Sequence, residues 1–291
     1  MRGSRPVDGR LLFLAAGVLL VGIGAFLYGA SPSPEGVSLE ISFIDVGQGD
    51  ATLVVARNST HTVSLLVDAG NAYHGAAVAS FVLQHDPLLD YALATHPDAD
   101  HIGGMVEVLR ALRPAVVVDN GDAKGTKTFA SFEQAAALAG ERRVARRGDE
   151  LTLVEGVTVL VLSPTSEFFN SSTSANDKSI VLKVSLGAFC AILTGDAEEP
   201  AEEAIASAWG AQLDCPVLKA GHHGSKTAST SGFLSTVSPY VVAISVGAGN
   251  RYGHPAPEAL QRIAASGAAV LRTDERGSIT ITTTGRSYTV N

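Results

Sequence analysis

The sequence predicts an α/β fold in which two β-sheets pack face to face and helices cover their outer sides. From residue 37 to residue 291, apolar strand patterns alternate with helix patterns, and the strands come in two batches, each flanked by helices. Charged residues make up only 17% of the chain, below the usual quarter, and 30 glycines favour short strands joined by tight turns. We see no internal repeat and no domain boundary in this stretch, so we expect residues 37–291 to form one domain.

Each predicted element rests on residue periodicity and on the turn residues around it. In Val37–Val46, Leu39, Ile41 and Phe43 fall on one face, because alternate residues of a strand share a side. The other predicted strands are Ala51–Ala56, Thr62–Val67, Tyr91–Thr95, Ala115–Val118, Val157–Leu162, Ser179–Leu186, Phe189–Thr194, Cys215–Ala220, Val241–Ser245, Ala268–Leu271 and Ser278–Thr283. The predicted helices are Ala76–Gln84, Gly103–Leu112, Phe129–Leu138, Pro200–Trp209, Gly232–Thr236 and Pro257–Ala265.

Residues 1–36 contain an apolar segment, Leu11–Ala30, which has no charged residue and is long enough to cross a bilayer as a helix. Three arginines precede it, and no lysine or arginine follows it until Arg57. The positive-inside rule then places the N-terminus in the cytoplasm and the remaining chain outside. We predict a cytoplasmic N-terminus, a single transmembrane anchor and a short linker. A cleaved signal peptide, which would make the protein secreted, and a buried core helix are the alternatives.

The two cysteines, Cys190 and Cys215, are too few for a disulfide framework or a structural zinc site. Both lie in apolar, strand-like runs, which favours buried free thiols that pack as small hydrophobic groups. A single disulfide, which an extracytoplasmic setting would permit, is the alternative.

The segment His96–Gly104 carries the strongest chemical pattern in the chain. His96, Asp98, Asp100 and His101 fall within six residues, directly after an apolar strand. Alternate residues of an extended loop share a side, so such a loop can aim several ligands at one point. Imidazole with carboxylate suits Zn, Mn or Fe rather than Ca. A polar loop with Asp100 as a helix N-cap would not explain two histidines and two aspartates together.

This segment resembles the His-x-His-x-Asp-His signature of the metallo-β-lactamase superfamily, with Asp98 in place of the second histidine. Followed by two glycines, it is similar to the C-terminal hydrolase domain of competence DNA-uptake proteins of the ComEC type. The resemblance covers about residues 38–290 and implies an αββα sandwich holding one or two divalent metal ions, Zn or Mn. The other matching segments are Phe43–Ala51, Leu66–Gly70, Asn176–Leu182, Leu193–Asp196, Leu218–Ser225 and Gly253–Pro255.

The resemblance also implies roles for individual residues. It implies that Asp196 bridges two metals, and it favours His223 over His222 as a metal ligand. A carboxylate at the end of a buried strand, as at Asp196, is costly unless it is paired or bound to a metal. The superfamily's middle histidine has no match, because residues 102–195 contain no histidine. The predicted metal ligands are His96, Asp98, Asp100, His101, Asp196 and His223. The residues expected to orient ligands or to contact substrate are Asp68, Asn176, Lys219, His222, Ser225 and Lys226.

The resemblance further implies hydrolysis of a phosphodiester, with DNA as the expected substrate. Asp100 or Asp196 would orient the attacking water, and His254 would protonate the leaving oxygen. The net charge of −8 does not attract DNA over long range, so a local patch must do so, and Lys219 and Lys226 are expected at its edge. One membrane segment cannot form a DNA channel, so a separate channel protein is a possible partner. The alternatives are hydrolysis of a small or cell-surface ester, such as a phosphocholine-type diester or a lactam, and a non-catalytic binding module with a degraded metal site.

Overall fold

The computed structural model describes residues 26–27, 34–170 and 173–291. Most of the predicted transmembrane segment Leu11–Ala30 lies outside them, and the two described residues, Phe26 and Leu27, are extended rather than helical. Among the described residues, no helix is both long and apolar enough to span a bilayer.

Sixteen strands and nine α-helices form within the described part of the chain. The strands are β1 (Phe26–Leu27), β2 (Ser38–Phe43), β3 (Thr52–Arg57), β4 (Thr62–Val67), β5 (Tyr91–Leu93), β6 (Val116–Asp119), β7 (Glu141–Val144), β8 (Glu150–Val154), β9 (Val157–Ser163), β10 (Val181–Leu186), β11 (Phe189–Leu193), β12 (Val217–Lys219), β13 (Val241–Ile244), β14 (Ala269–Arg272), β15 (Ile279–Thr283) and β16 (Ser287–Val290). The helices are α1 (Gly75–His85), α2 (Ala99–Ile102), α3 (Met105–Leu112), α4 (Lys127–Ala136), α5 (Ser166–Asn170), α6 (Glu199–Trp209), α7 (Ser231–Val237), α8 (Pro257–Ala265) and α9 (Thr273–Arg276).

Over the described residues the strands form two mixed sheets. The order in the nine-stranded sheet is β1-β16-β15-β2-β3-β4-β5-β6-β7, and in the seven-stranded sheet it is β14-β13-β12-β11-β10-β9-β8. One core, which includes Ile41, Phe43 and Leu182, fills the space between the sheets. Two further cores lie on the outer faces, beneath α1, α3 and α4 on one side and α6, α7 and α8 on the other. The predicted α/β sandwich with helices outside is therefore confirmed.

The predicted site residues follow the carboxyl ends of parallel strands. Strands β4 and β5 are parallel neighbours, as are β11 and β12. Asp68 follows β4, His96 follows β5, Asp196 follows β11 and His222 follows β12. The carboxyl ends of parallel strands in one sheet meet at the same edge, where α/β proteins commonly bind ligands. The topology thus gathers residues that are far apart in sequence.

The structure differs from the sequence prediction at several elements. The segment after Asp98 was expected to be extended, but Ala99–Ile102 forms a helical turn that carries Asp100 and His101. Strands β7, β8 and β16 were not predicted. Strand β7 is an exposed sheet edge whose arginines pair with nearby carboxylates, and such charged edges lack the apolar alternation that identifies a strand.

The prediction of free thiols is wrong, because Cys190 and Cys215 form a disulfide with their Cα atoms 5.1 Å apart. Cys190 lies in β11 and Cys215 lies just before the adjacent parallel strand β12. Pairing of these two strands brings the cysteines side by side, although 25 positions separate them in sequence.

Candidate metal centre

His101 is the most firmly held imidazole of the centre. Its Nδ1 atom lies 2.8 Å from Oδ2 of Asp68, which leaves Nε2 facing Oδ1 of Asp196 at 3.2 Å. Asp68 in turn accepts hydrogen bonds from the backbone N and the hydroxyl of Thr95, at 2.8 and 2.7 Å. Asp68 therefore lies where the sequence predicted an orienting carboxylate, behind a buried histidine.

His223 lies in the turn after β12 and points its ring toward the carboxylate of Asp196. Its Nδ1 donates to the carbonyl of Ser245 at 3.0 Å, and its Nε2 lies 3.5 Å from Asp100 and 3.6 Å from Asp196. The backbone φ values of His222 and His223 are 45° and 54°, in the left-handed region that non-glycine residues seldom adopt. This strained turn directs the two neighbouring imidazoles differently, since His223 is buried and His222 is only partly so.

His96 and Asp98 lie on another side of Asp196. Nε2 of His96 is 3.9 Å from Oδ2 of Asp196 and 4.0 Å from Oδ1 of Asp98. The Asp98 carboxylate is also ion-paired at 2.6 Å with Lys124, a residue that the sequence analysis did not single out. Asp98 is thus close to His96 but is shared with a surface cation.

His222 is oriented by a chain of side chains. Its Nδ1 lies 2.8 Å from Oε1 of Glu198, and its Nε2 lies 3.7 Å from Oδ2 of Asp196. Thr227 donates to the same Glu198 oxygen, and the hydroxyl of Ser225 lies 2.7 Å from that of Thr227. Ser225 therefore reaches the centre only through Thr227 and Glu198. Asn176 lines the cavity, with its Nδ2 atom 3.2 Å from Nδ1 of His222.

The donor atoms of this centre fit a divalent metal ion. Nε2 of His96, His101 and His223 and Oδ1 of Asp196 are buried and make no hydrogen bond to any described residue. Two ligand groups, His96–His101–Asp196 and Asp100–His101–His223, each gather their ligand atoms within 4.8 Å of one another. Buried polar atoms without partners are costly, whereas imidazole Nε2 and carboxylate oxygen atoms together are a favourable donor set for a metal.

The family model of the metallo-β-lactamase superfamily matches residues 44–239, which contain all six predicted metal ligands. The chain belongs to the metallo-β-lactamase superfamily. The fold of this superfamily implies binding of divalent metals, and the structure gathers candidate ligand atoms in two groups. The chain therefore has the fold and donor groups of a metal-dependent hydrolase.

The curated relatives include proteins of bacterial competence. The chain is 31% identical over 261 residues to ComE operon protein 3 of Bacillus subtilis, covering 82% of this chain and 32% of that protein. It is 31% identical over 264 residues to competence protein ComA of Neisseria gonorrhoeae, covering 90% of this chain and 34% of that protein. The chain thus spans about a third of the length of these relatives. The predicted resemblance to competence proteins is confirmed.

Solved structures of the same fold include YhfI from Bacillus subtilis, a metallo-beta-lactamase fold protein, with a TM-score of 0.52 and 12% identity over 84% of this chain and 99% of that one. A putative metal-dependent hydrolase from Parabacteroides distasonis gives a TM-score of 0.50 and 15% identity over 87% of this chain and 98% of that one. At these identities the likeness shows the fold alone.

The buried histidines and Asp196 of the metal centre have strongly shifted pKa values before a metal binds. Burial lowers the pKa of His223, but Asp196 and Asp50 outweigh it and raise that pKa to about 10. Burial likewise lowers the pKa of His101, but the carboxylates of Asp196 and Asp68 outweigh it, and that pKa is raised well above its ordinary value. Burial raises the pKa of Asp196, yet the surrounding histidines hold it well below the usual range. Protons on these imidazoles therefore balance the carboxylates in the metal-free protein.

His254, which the sequence predicts as the proton donor to the leaving oxygen, lines the cavity together with His222 and His223. Burial, with the neighbouring His222 and His223, lowers its pKa to about 4, so its ring is neutral near pH 7. Its ring centroid lies 5.2 Å from that of His222, at the wall of the cavity. An imidazole at this place can form hydrogen bonds to a substrate in the cavity.

Lys219 was expected at the edge of a substrate groove, and the structure contradicts this. It is only 2% exposed, and its ammonium pairs with Asp50 at 2.5 Å and donates to the carbonyl of Gly195 at 3.1 Å. Asp50 in turn lies 3.3 Å from Nδ1 of His223. Lys219 therefore acts behind the ligands through Asp50, which the sequence analysis had noted only as part of a turn. Lys226 is exposed, as an edge cation must be.

Two glycines allow the loops of the centre to approach closely. A Cβ atom on Gly104 would overlap the carbonyl oxygen of Ala69, next to Asp68. A Cβ atom on Gly49 would overlap the carbonyl oxygen of Asp100, and Gly49 has a φ of 138°. The turn before Asp50 and the loop after Asp68 can therefore lie directly against α2, which carries Asp100 and His101.

Proposed function

We propose that this protein is a membrane-anchored, metal-dependent phosphodiesterase that cleaves DNA outside the cytoplasm. The observation that carries the proposal is the convergence of three buried Nε2 atoms, those of His96, His101 and His223, on Asp196, which lines a surface cavity. The name of one relative, competence protein ComA, supports DNA as the substrate. A role in DNA uptake, with a separate channel protein as a partner, is part of the proposal.

The size of the cavity favours a polymer over a small ester or a lactam. The cavity above Asp196 has a volume of about 130 Å³. Pockets that enclose a small-molecule ligand usually measure roughly 300–1,000 Å³. A cavity this small can receive the reacting phosphate group, while the rest of the substrate lies across the surrounding surface. We therefore favour DNA over a phosphocholine-type diester.

The residues of the centre would have distinct roles in binding metal and in positioning the substrate. Asp100, His101, His223 and Asp196 would hold one divalent ion, Zn or Mn, and His96 and Asp98 would hold a second that shares Asp196. A divalent ion in such a site activates water and stabilises negative charge on phosphoryl oxygens. Asp100 and Asp196 would orient the attacking water, and the Nε2 edge of His222 and the neutral ring of His254 would position the phosphate by hydrogen bonds.

The anchored topology rests on the sequence and on the disulfide. We propose that residues 1–36 comprise a cytoplasmic N-terminus, an anchor at about residues 11–30 and a linker, and that residues 37–291 form the hydrolase domain. The disulfide Cys190–Cys215 favours an oxidising compartment, because disulfides seldom persist in the cytosol. Secretion after signal cleavage remains the alternative, and the size of the mature chain on a gel separates the two.

A metal and cleavage assay tests the function. The full chain, purified in detergent without chelator, is assayed for bound metal and for hydrolysis of single- and double-stranded DNA with added Zn or Mn. The double variant Asp100→Ala, His101→Ala is expected to lose both. His61→Ala, which removes an exposed hairpin histidine, is the matched control and should behave as wild type. Bound metal without cleavage of DNA would favour the small-ester alternative, and absence of metal would favour the non-catalytic module.

A further inference from the structure

We propose that Tyr252 is a stacking platform for a nucleobase of single-stranded DNA, next to the cavity that receives the phosphate. The platform rests on the proposed nuclease function and adds to it a base-binding subsite and a preference for unpaired strands.

Tyr252 is distinguished by its position rather than by its exposure. It is 53% exposed, as is Tyr240 on another face of the molecule, and single exposed aromatic residues are common. Tyr252, however, lines the same cavity as Asp196 and His222, whereas Tyr240 lines a separate groove beside α7 and α8. Tyr252 therefore offers a half-exposed aromatic side chain at the edge of the metal centre.

The backbone of the loop that carries Tyr252 is held in place before any ligand arrives. Oδ1 of Asn250 accepts hydrogen bonds from the backbone N atoms of Tyr252 and His254, both at 3.1 Å. Nδ2 of Asn250 donates to the carbonyl of Gly247 at 3.0 Å, which closes the loop. The Tyr252 ring lies 5.9 Å from the His254 ring at an angle of 28°, and His254 is adjacent to His222. A base on Tyr252 would thus lie one imidazole away from the centre, with little ordering cost.

A cation accompanies the ring. The guanidinium of Arg251 lies 5.1 Å from the centre of the Tyr252 ring, and its Nη2 donates to the hydroxyl at 3.0 Å. Arg251 is exposed, so it can contact a backbone phosphate while its neighbour holds the base.

Stacking supplies binding energy that does not depend on overall charge. The chain has a net charge of −8, so its overall charge does not attract DNA over long range. One base stacked on an aromatic side chain changes affinity by roughly 5- to 150-fold, for any base. A base inside a duplex is already stacked on both faces, so only an unpaired base can use the platform.

An abasic scan tests the platform. Binding of a labelled phosphorothioate oligothymidylate to the detergent-solubilised full chain is measured by fluorescence anisotropy, with one abasic nucleotide moved along the strand. For the wild type, one abasic position should weaken binding by roughly 5- to 150-fold. Tyr252→Ala should weaken binding of the intact strand by a similar factor and should be insensitive to the abasic nucleotide at that position. Tyr252→Phe, which keeps the ring, and Tyr240→Ala should bind as wild type.

The platform is overturned if Tyr252→Ala binds as wild type, or if the abasic loss is the same in wild type and Tyr252→Ala. Hydrolysis of unmodified DNA is measured separately. If the abasic loss depends on Tyr252 but DNA is not hydrolysed, the platform is retained and the nuclease proposal is contradicted. If DNA is hydrolysed but the abasic loss does not depend on Tyr252, the nuclease proposal is retained and the platform is contradicted. A wild type that does not bind DNA contradicts both. The thermal unfolding midpoint of Tyr252→Ala is expected to match that of Tyr240→Ala.

Discussion

The metal centre has two halves that share Asp196. The first half contains Asp100, His101 and His223, and the second contains His96 and Asp98. Neighbouring groups hold the ligands of the first half more firmly than those of the second. In the first half, Asp68 and the carbonyl of Ser245 fix His101 and His223, whose Nε2 atoms lie 3.2 and 3.6 Å from Asp196. In the second half, Nε2 of His96 lies 3.9 Å from Oδ2 of Asp196. The Asp98 carboxylate of that half is also paired with Lys124.

This difference indicates unequal affinity for metal. Ligand side chains that neighbouring groups already hold in place lose little conformational freedom when they coordinate a metal, so the first half should bind a metal ion tightly. In the second half a metal must compete with Lys124 for Asp98, and the histidine that the superfamily usually supplies between residues 102 and 195 is missing. We therefore expect one tight and one weaker metal position. Four changes test this comparison.

Removal of the shared carboxylate should have the largest effect. Asp196→Ala deletes the group that both halves contact, so bound metal should fall to background. Hydrolysis should fall at least by the roughly 10²–10³-fold that loss of one preorganised electrostatic group costs. Metal content by mass spectrometry and DNA cleavage measure both effects. Glu203→Ala, on the exposed side of α6, is the control; an Asp196→Ala variant that keeps its metal would contradict the shared role.

Metal affinity of the first half should rise steeply with pH. The raised pKa values of His101 and His223 mean that metal-free protein holds protons there at pH 7, and a metal must displace them. If two protons leave, the dissociation constant falls by about 100-fold per pH unit near neutrality. In the metal-free protein, these raised pKa values stabilise the fold below about pH 6.5, and this contribution is lost as the pH rises through the folded-state pKa values. Calorimetry in buffers of different ionisation enthalpy counts the protons, and a pH-independent affinity would refute this account.

Asp68→Asn should weaken the first half selectively. The amide cannot match the charge that holds Nδ1 of His101, and loss of such an orienting partner typically costs about 10- to 100-fold in metal affinity. The tight class of sites should weaken by this factor while the weaker class changes little. Equal weakening of both classes would show that Asp68 supports the whole fold rather than one half.

Lys124→Ala should have the smallest effect, and it should act in the opposite direction. The pair is partly exposed, so its loss changes free energies by about 1 kcal/mol or less, or a few-fold in affinity. Freed Asp98 should strengthen the weaker class of sites by that factor. Lys127→Ala, on the exposed start of α4, is the control, and a weakened second class in Lys124→Ala would argue that Lys124 positions Asp98 instead of competing for it.

Much of the fold could be predicted because buried strands and amphipathic helices have regular apolar periods. Strands such as β4, predicted and observed at Thr62–Val67, show this directly. Edge strand β7 was missed because its Glu-Arg-Arg sequence is charged and exposed at an open sheet edge, so it lacks the apolar alternation of a buried strand. The disulfide was missed because pairing of β11 with β12, which brings the cysteines together, cannot be read from two isolated strands.

The parts of the metal centre that come from one continuous segment could be predicted from the sequence, whereas the contacts between distant segments could not. His96 to His101 form one local pattern, so their convergence could be expected from the sequence. The pairs Lys219–Asp50 and Glu198–His222 join distant segments, and no local spacing reveals them. Lys219 was assigned to the surface because a lysine is usually exposed, whereas here Asp50 compensates its burial.

A metal-binding isotherm of the chelator-treated full chain, with Zn and with Mn, tests the central claim most directly. The account predicts two unequal classes of sites, the tighter of which disappears in His223→Ala. A single class that His223→Ala leaves unchanged, or no binding at all, would contradict it.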